Sequence, residues 1–245
     1  MQIRGKNALV TGAGQGIGRA SATMLAREGI VTLVLSDVNE AGLREVAQAV
    51  EALGAKAVLL PADLSSAPDA IRMYEAAEAA VPLDIIHNNA GIMGGPPDFP
   101  AANLDRMIAA IQINLTAMMI GTTLGFKFMI ARGAPGVIIN TSSVAAFGVL
   151  PMDPAYSASK HGVRALSESC KPFAEQYGIR VVPLCPGITD TAIVAKDAPW
   201  LKPALDAVKL LGTDDIAAEI RRIIEDDTLA GDPVVVNNEP AANAA

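Results

Sequence analysis

The sequence predicts a doubly wound α/β fold in one domain, a parallel sheet with helices on both faces. Three observations carry that expectation. Short apolar runs alternate with longer stretches of helical period from one end of the chain to the other. Of 245 residues, 51% are hydrophobic and 18% charged, which is enough apolar mass for a full core. Aromatics are only 4%, so Ala, Val, Ile, Leu and Met must fill that core. Such a mix suits parallel strands buried between helices better than an aromatic-rich sandwich.

Asn7–Thr11 reads as the first strand, followed by a helix over Gly16–Glu28 that carries Ile17, Ala20, Met24 and Ala26. Val31–Leu35 is a second strand, then a helix runs from Glu40 to Leu53 and ends at Gly54. Lys56–Leu60 and Leu83–His87 are further strands, separated by a helix from Pro68 to Ala80. One long helix is predicted over Leu104–Ala131 and another over Pro154–Tyr177, with strands Gly136–Asn140 and Ile179–Leu184 after them. Asp214–Glu225 is a late helix and Pro233–Val236 a closing strand. Length alone allows one domain or two. The series has no linker, repeat or low-complexity tract, so residues 1–245 read as a single domain with a loose tail after Pro240.

Net charge is −7, which gives no attraction to phosphate backbones or anionic lipid; neither nucleic acid nor membrane is expected as a partner. Two cysteines, Cys170 and Cys185, and two histidines, His87 and His161, are too few for a disulfide framework or a structural zinc site. No metal is expected. The polar start Met1–Asn7 lacks the apolar core of a secretion signal. Gln112, Asn114 and Lys127 interrupt the most membrane-like stretch, Met107–Ile130, which reads as a buried helix. A cytoplasmic location follows as the expectation.

The first strand opens into Thr11-Gly12-Ala13-Gly14-Gln15-Gly16-Ile17-Gly18 and then a helix. Glycines allow a tight turn and close backbone approach, while the free N–H groups of a helix start favour a pyrophosphate. Asp37 ends the second strand about 20 residues further on, where a carboxylate can accept from adenosine ribose hydroxyls and repel a 2′-phosphate. A plain turn aspartate is the alternative. With the loop beside it, the cofactor role is preferred, and with it NAD over NADP.

At this point the chain resembles the short, single-domain members of the short-chain dehydrogenase/reductase family, which have the Rossmann fold. The glycine spacing Thr-Gly-x-x-x-Gly-x-Gly is the version this family uses, and the likeness extends to about Asn238. Further motifs follow in the family's order: Asp63-Leu64, Asn88-Asn89-Ala90-Gly91, Asn114, Ser142-Ser143, Tyr156-x-x-x-Lys160 and Pro186-Gly187. A Tyr-x-x-x-Lys pair alone means little; six motifs in order do.

Tyr156 and Lys160 are four apart on a predicted helix and share a face. A phenol is a poor base near neutrality, and a neighbouring ammonium pulls its pKa toward the working range. Ser143, at a strand end, can donate to or accept from a substrate oxygen. The resemblance implies that Tyr156 is the general acid/base, that Ser143 holds the carbonyl or alcohol oxygen, and that Lys160 binds the nicotinamide ribose. It also implies that Asn114 holds a water continuing a proton relay. An amide in an apolar helix needs a partner, which agrees with such a role. By the same resemblance Gly12, Gln15, Gly16, Ile17, Gly18, Asp37, Asp63, Leu64, Asn89, Ala90, Gly91, Pro186, Gly187, Ile188 and Thr191 are candidate cofactor contacts, along with Tyr156 and Lys160.

Three variable stretches should shape the substrate: Ile92–Phe99, Val144–Ala155 and a lid at about 189–208. Met93, Phe147, Leu150, Met152 and Trp200, beside Ser143 and Tyr156, are the candidate pocket. No arginine occurs in these stretches to grip a carboxylate or phosphate, so the expected substrate is an uncharged, largely hydrophobic secondary alcohol or ketone. The segments around Ser159–Gly162, Cys185–Gly187 and Thr191–Ile193 look most like relatives that oxidise fatty or prostaglandin-like chains.

Two departures from the family pattern stand out. His87 occupies a position usually aliphatic, and a structural role is expected for it. The last strand, Val234–Asn238, lacks the glycine pair that many relatives place at a subunit interface, so homotetramer and homodimer both stay open. An NADPH-dependent 3-ketoacyl-thioester reductase is the alternative within the family, opposed by Asp37. A non-catalytic dinucleotide sensor is the alternative outside it, opposed by the presence of both Tyr156 and Lys160.

Overall fold

Seven apolar runs pair side by side in the order β3-β2-β1-β4-β5-β6-β7, every pair parallel. They are β1 Asn7–Thr11, β2 Thr32–Ser36, β3 Lys56–Leu59, β4 Ile85–Asn88, β5 Gly136–Thr141, β6 Ile179–Pro186 and β7 Val234–Val236. The computed structural model describes residues 1–241; the part of the tail beyond them lies outside the described residues. The chain moves outward from β1 to β3 and then returns to β4 on the other side of β1. A crevice therefore opens between the carboxyl ends of β1 and β4.

Helices α1 (Gly16–Arg27), α2 (Glu40–Ala52) and α9 (Thr213–Glu225) cover one face. On the other lie α3 (Ala67–Ala80), α5 (Ala117–Arg132) and α6 (Pro154–Ser169), with α4 (Leu104–Ile111) packed on α6. Side-chain caps explain several helix starts. Asn39 accepts from Gly42 N, Ser66 from Asp69 N, Asn103 from Arg106 N and Asp153 from Tyr156 N.

The predicted elements are all present, with three changes. The helix expected over Leu104–Ala131 is broken by a π turn at Gln112–Thr116, centred on Asn114. That expected over Pro154–Tyr177 stops at Ser169 and resumes as α7 (Phe173–Tyr177). Pro172 lacks an N–H and its ring clashes with the carbonyl four residues back, which forces the break. The lid carries a short helix of its own, α8 (Lys202–Ala207).

The run Leu104–Arg132 is long and apolar enough to cross a membrane by composition alone. Its inner side is core. Gly121 and Gly125 face Tyr74, Asn88, Ile86 and Ile138 so closely that a Cβ would overlap them. Its outer side leaves Leu104, Ile108, Met119 and Ile130 exposed.

Two polar clusters sit at successive residues of β4. His87 Nδ1 lies 3.0 Å from Ser21 Oγ of α1, and Nε2 lies 2.9 Å from Thr141 Oγ1 of β5. Asn88 points to the opposite face, where Tyr74 Oη donates to its Oδ1 at 2.6 Å and its Nδ2 donates to Asn140 Oδ1 at 2.8 Å. Asn140 Nδ2 in turn donates to Thr122 Oγ1 and Ser167 Oγ.

Burial pulls the His87 pKa from 6.5 down to about 3. Between those values the unfolded chain carries the proton and the folded chain does not. Unfolding then takes up one proton, and stability falls as pH drops, by at most about 1.4 kcal/mol per pH unit. His87→Leu should therefore have a shallower acid limb, by up to that slope, in urea unfolding series run downward from neutral pH. An unchanged slope would mean that the folded imidazole is already protonated.

Candidate active site

The crevice between β1 and β4 is held by a clasp. Thr11 Oγ1 accepts from the amides of Asn89 (2.9 Å) and Ala90 (3.1 Å), and Asn89 Nδ2 donates back to Thr11 O at 3.0 Å and Gly12 O at 3.3 Å. Gly12 and Gly16 take φ of +64° and +54°, a region that favours glycine. Gly12 is also so close to Ala90 that a Cβ would be 2.9 Å from its Cα. Gly18 behaves differently from the cofactor contact expected of it. It is buried beneath the loop against Gly12 O and the Asn89 amide, so its lack of a side chain serves helix-to-strand packing.

Asp37 Oδ2 accepts from Gly14 N at 2.9 Å and its Oδ1 from Asn39 N at 2.9 Å. The carboxylate thus braces the glycine loop as well as facing the cleft. Each carboxylate oxygen has a further lone pair available for a ribose hydroxyl.

From this loop a cleft of about 520 Å³ runs along the strand ends. Gly12, Gln15, Gly16, Ile17, Asp37, Asp63, Leu64, Asn89, Ala90, Gly91, Pro186, Gly187, Ile188 and Thr191 line it, and so do Ser143, Tyr156 and Lys160. Among the described residues, the charged side chains lining this cleft are Asp37, Asp63 and Lys160. Its far end is apolar, with Met93, Leu150, Ile193, Trp200 and Leu201. The donor set fits a dinucleotide: bare loop amides at a helix start, a carboxylate beside them and an ammonium further along.

Ser143 follows β5, and Tyr156 and Lys160 stand on one face of α6. Lys160 is 2% exposed; its Nζ donates to Thr141 O at 2.8 Å and lies 5.5 Å from the centre of the Tyr156 ring. Burial pulls the Lys160 ammonium down to about 8, against a smaller upward pull from Cys185. The Tyr156 phenol is pushed up by burial, pulled down by the Ser143 hydroxyl, and pushed up again by Asp153. The expectation of a phenol lowered by the ammonium therefore gives way, in the cofactor-free chain, to one held above its ordinary value by burial.

Asn114 is buried in the π turn. Its Oδ1 accepts from Ile92 N at 2.8 Å, and its Nδ2 donates to Ile92 O at 2.8 Å and to Ser159 Oγ at 3.1 Å. Both ends of the amide are paired with protein, so the side chain clamps the start of the Ile92–Phe99 loop. Asn114 Oδ1 and Lys160 Nζ converge beside Gly91, within 3.3 and 3.5 Å of where its Cβ would stand.

Two expected pocket residues lie elsewhere. Phe147 is 51% exposed and stacks 4.6 Å beneath the Arg164 guanidinium, whose Nη1 also holds Ala146 O. That arrangement takes the ring out of the cleft. Met152 lines a separate chamber beside the cleft.

Several residues escaped the sequence reading. Asp153 is buried; its Oδ1 accepts from Tyr156 N at 3.0 Å and its Oδ2 from Gly94 N at 2.8 Å, while Arg106 Nε donates to Gly94 O at 2.6 Å. The Asp-Pro start of a helix was a readable signal for its capping role. Asn238 holds both Ile188 N and Ile188 O at 2.7 Å, which fixes the turn after β6. Nothing in sequence places a residue 50 positions away on that turn.

Residues 6–202 match the short chain dehydrogenase family. A probable oxidoreductase of Mycobacterium tuberculosis is 37% identical over 83% of this chain, although the chain spans only 34% of that protein's length. The cyclohexanol dehydrogenase of an Acinetobacter strain is 31% identical, with 92% of this chain and 90% of that protein covered. The NAD-dependent 15-hydroxyprostaglandin dehydrogenase of Bos taurus is 33% identical, with coverage of 94% and 90%. Among solved structures, that of a putative NAD(P)-dependent gluconate 5-dehydrogenase from Beutenbergia cavernae, holding NADP at low occupancy, superposes with a TM-score of 0.86 at 26% identity. It covers 96% of this chain and 97% of that one.

The depressed Lys160 value has a direct check. In a ¹³Cε-lysine titration of the cofactor-free chain, one resonance should move near pH 8 and be missing from Lys160→Met. Titration of every lysine in the ordinary range would contradict the burial argument.

Proposed function

The chain belongs to the short-chain dehydrogenase family, and from that premise we propose that it is an NAD-dependent oxidoreductase acting on an uncharged, largely hydrophobic secondary alcohol or ketone. One observation carries the reading: a single cleft joins the glycine loop and Asp37 at one end to Ser143, Tyr156 and Lys160 at the other.

A nicotinamide held by this cleft would supply the hydride acceptor for alcohol oxidation; the proton that leaves the substrate oxygen passes to Tyr156 Oη. Ser143 holds the substrate oxygen against the phenol. Tyr156 must be deprotonated to accept the proton, and burial resists that. Lys160, held to Thr141 O, supplies the fixed positive charge that favours the phenolate once a substrate closes the cleft. In ketone reduction the same phenol donates. Oxidation should therefore quicken with rising pH and reduction with falling pH.

The substrate class rests on the apolar far end of the cleft, and two relatives named for alcohols agree with it. NAD preference rests on Asp37, and the bovine relative's name agrees. The NADP-holding neighbour favours the second reading, use of NADP, so both cofactors belong in the assay. We assign the exposed apolar stripe Leu104, Ile108, Met119 and Ile130 to a contact between copies of the chain, as a homodimer or homotetramer. Two free, buried cysteines suit a reducing cytoplasm.

Turnover of a panel of secondary alcohols, followed by nicotinamide absorbance with each cofactor, tests the reading. Tyr156→Phe should lower kcat by about 100-fold or more; wild-type kcat in that variant would overturn the mechanism. Asp37→Asn keeps an acceptor for Gly14 N but loses the charge. It should move the kcat/KM ratio toward NADP by about tenfold, or about 1.4 kcal/mol. A wild-type enzyme faster with NADP would overturn the NAD assignment.

A further inference from the structure

Trp200 is the chain's single tryptophan and sits in the lid between β6 and α8. Its Nε1–H donates to Asp98 Oδ1 at 3.1 Å, from a residue 102 positions away. Asp98 is no free loop tip. The loop bearing it is tied to the N-terminus of α6 through Gly94 N on Asp153, and again where Phe99 N donates to Met152 O at 3.1 Å. The indole is therefore held against a post that is continuous with the helix bearing Tyr156.

On one side of this contact lies the cleft, where Leu201 and Ala204 follow Trp200 along the wall. On the other lies a chamber of about 1080 Å³, lined by Asp98 itself and by Met107, Met152 and Pro199. Gly16, Met93, Thr191, Ala192, Val194 and Trp200 border both spaces, and of these the indole of Trp200 is the largest side chain. Asp37 and Ile188 would hold a dinucleotide along this cleft, and the substrate would then take the part lined by Met93, Leu150 and Trp200.

We propose that Trp200, positioned by Asp98, is the specificity-determining partition of this site: it confines compact substrates beside Tyr156 and blocks extended apolar chains from the second chamber. This inference rests on the dehydrogenase reading. Flexible methionines on the chamber wall can pack around an alkyl chain of variable course. Its lining also carries Arg19, Arg27 and Lys196 and the carboxylates of Asp98, Asp153, Asp190, Asp197 and Asp214, with Lys196 paired to Asp190 at 2.5 Å. The excess of carboxylates disfavours an anionic chain and leaves a neutral one. Asp98 acts as a positioning residue, since its contact is with the indole and not with the reacting atoms. Without that half-buried acceptor the indole N–H must turn toward water.

The test compares kcat/KM for 2-undecanol and 2-butanol. Trp200→Ala and Asp98→Leu should each raise the ratio of the long alcohol to the short one by about tenfold or more. Asp98→Asn, which keeps an oxygen for the N–H, should retain the wild-type ratio. Emission from the lone tryptophan should move to longer wavelength in Asp98→Leu and stay in place in Asp98→Asn. A ratio unchanged within about twofold in both disruptive variants overturns the proposal. If Trp200→Ala does not fold, Asp98→Leu decides. Should the wild type oxidise neither alcohol with either cofactor, the dehydrogenase reading fails separately. The partition is then judged by calorimetric binding of 2-undecanone against 2-butanone, where a selective gain for the long ketone in Asp98→Leu supports it and no gain overturns it.

Discussion

Everything at the site depends on the width of the crevice between β1 and β4, and the reciprocal hydrogen bonds of Thr11 and Asn89 set that width. A threonine hydroxyl taking two amides, and an asparagine amide reaching two carbonyls, bind the glycine loop to the end of β4 from both sides. Gly12 can then lie against Ala90, and Gly18 against Gly12, with no side chain between them. Asp37 braces the outer edge of the same loop through Gly14 N. The groove proposed for the cofactor is thus largely a backbone feature, and Thr11, Asn89 and Asp37 are occupied in bracing it.

The end proposed as catalytic is built with more tension. Burial works against charge on both Tyr156 and Lys160, in opposite directions. Asp153 adds to the resistance at Tyr156, yet the same carboxylate caps α6 and fastens the Ile92–Phe99 loop through Gly94. The site accepts an unfavourable charge near the phenol in return for a fixed helix start. A low-dielectric pocket amplifies each of these influences, which makes the Ser143 hydroxyl and the Lys160 ammonium effective partners once water is excluded.

The sheet, its helices and the run of motifs were legible because each rests on local pattern: apolar periodicity, glycine at tight turns, and Tyr156 and Lys160 one helical turn apart. What stayed hidden depends on contacts far away in sequence. The π turn at Asn114 goes with an amide paired to both groups of Ile92, and no local propensity announces it. Phe147 has the composition of a pocket residue, but Arg164 on α6 takes its ring as a stacking surface. Asn238 completes a turn that appears, in sequence, to be only Pro-Gly. Pro172, by contrast, was a local signal against a continuous helix, outweighed by the apolar period on either side of it.

The polar clusters on β4 have a consequence for how the chain finds its pairing. Most of the central strands are runs of Ile, Val and Leu, which would pack nearly as well if shifted along their neighbours. His87 and Asn88 remove that ambiguity. A shift of β4 by one residue would turn the imidazole toward Tyr74 and the amide toward Ser21, and both would lose their partners inside the core. Two adjacent polar residues, each matched to a different face, act as an alignment key. An aliphatic residue in place of His87 would fill the same space but leave one side of the strand unable to tell correct alignment from incorrect.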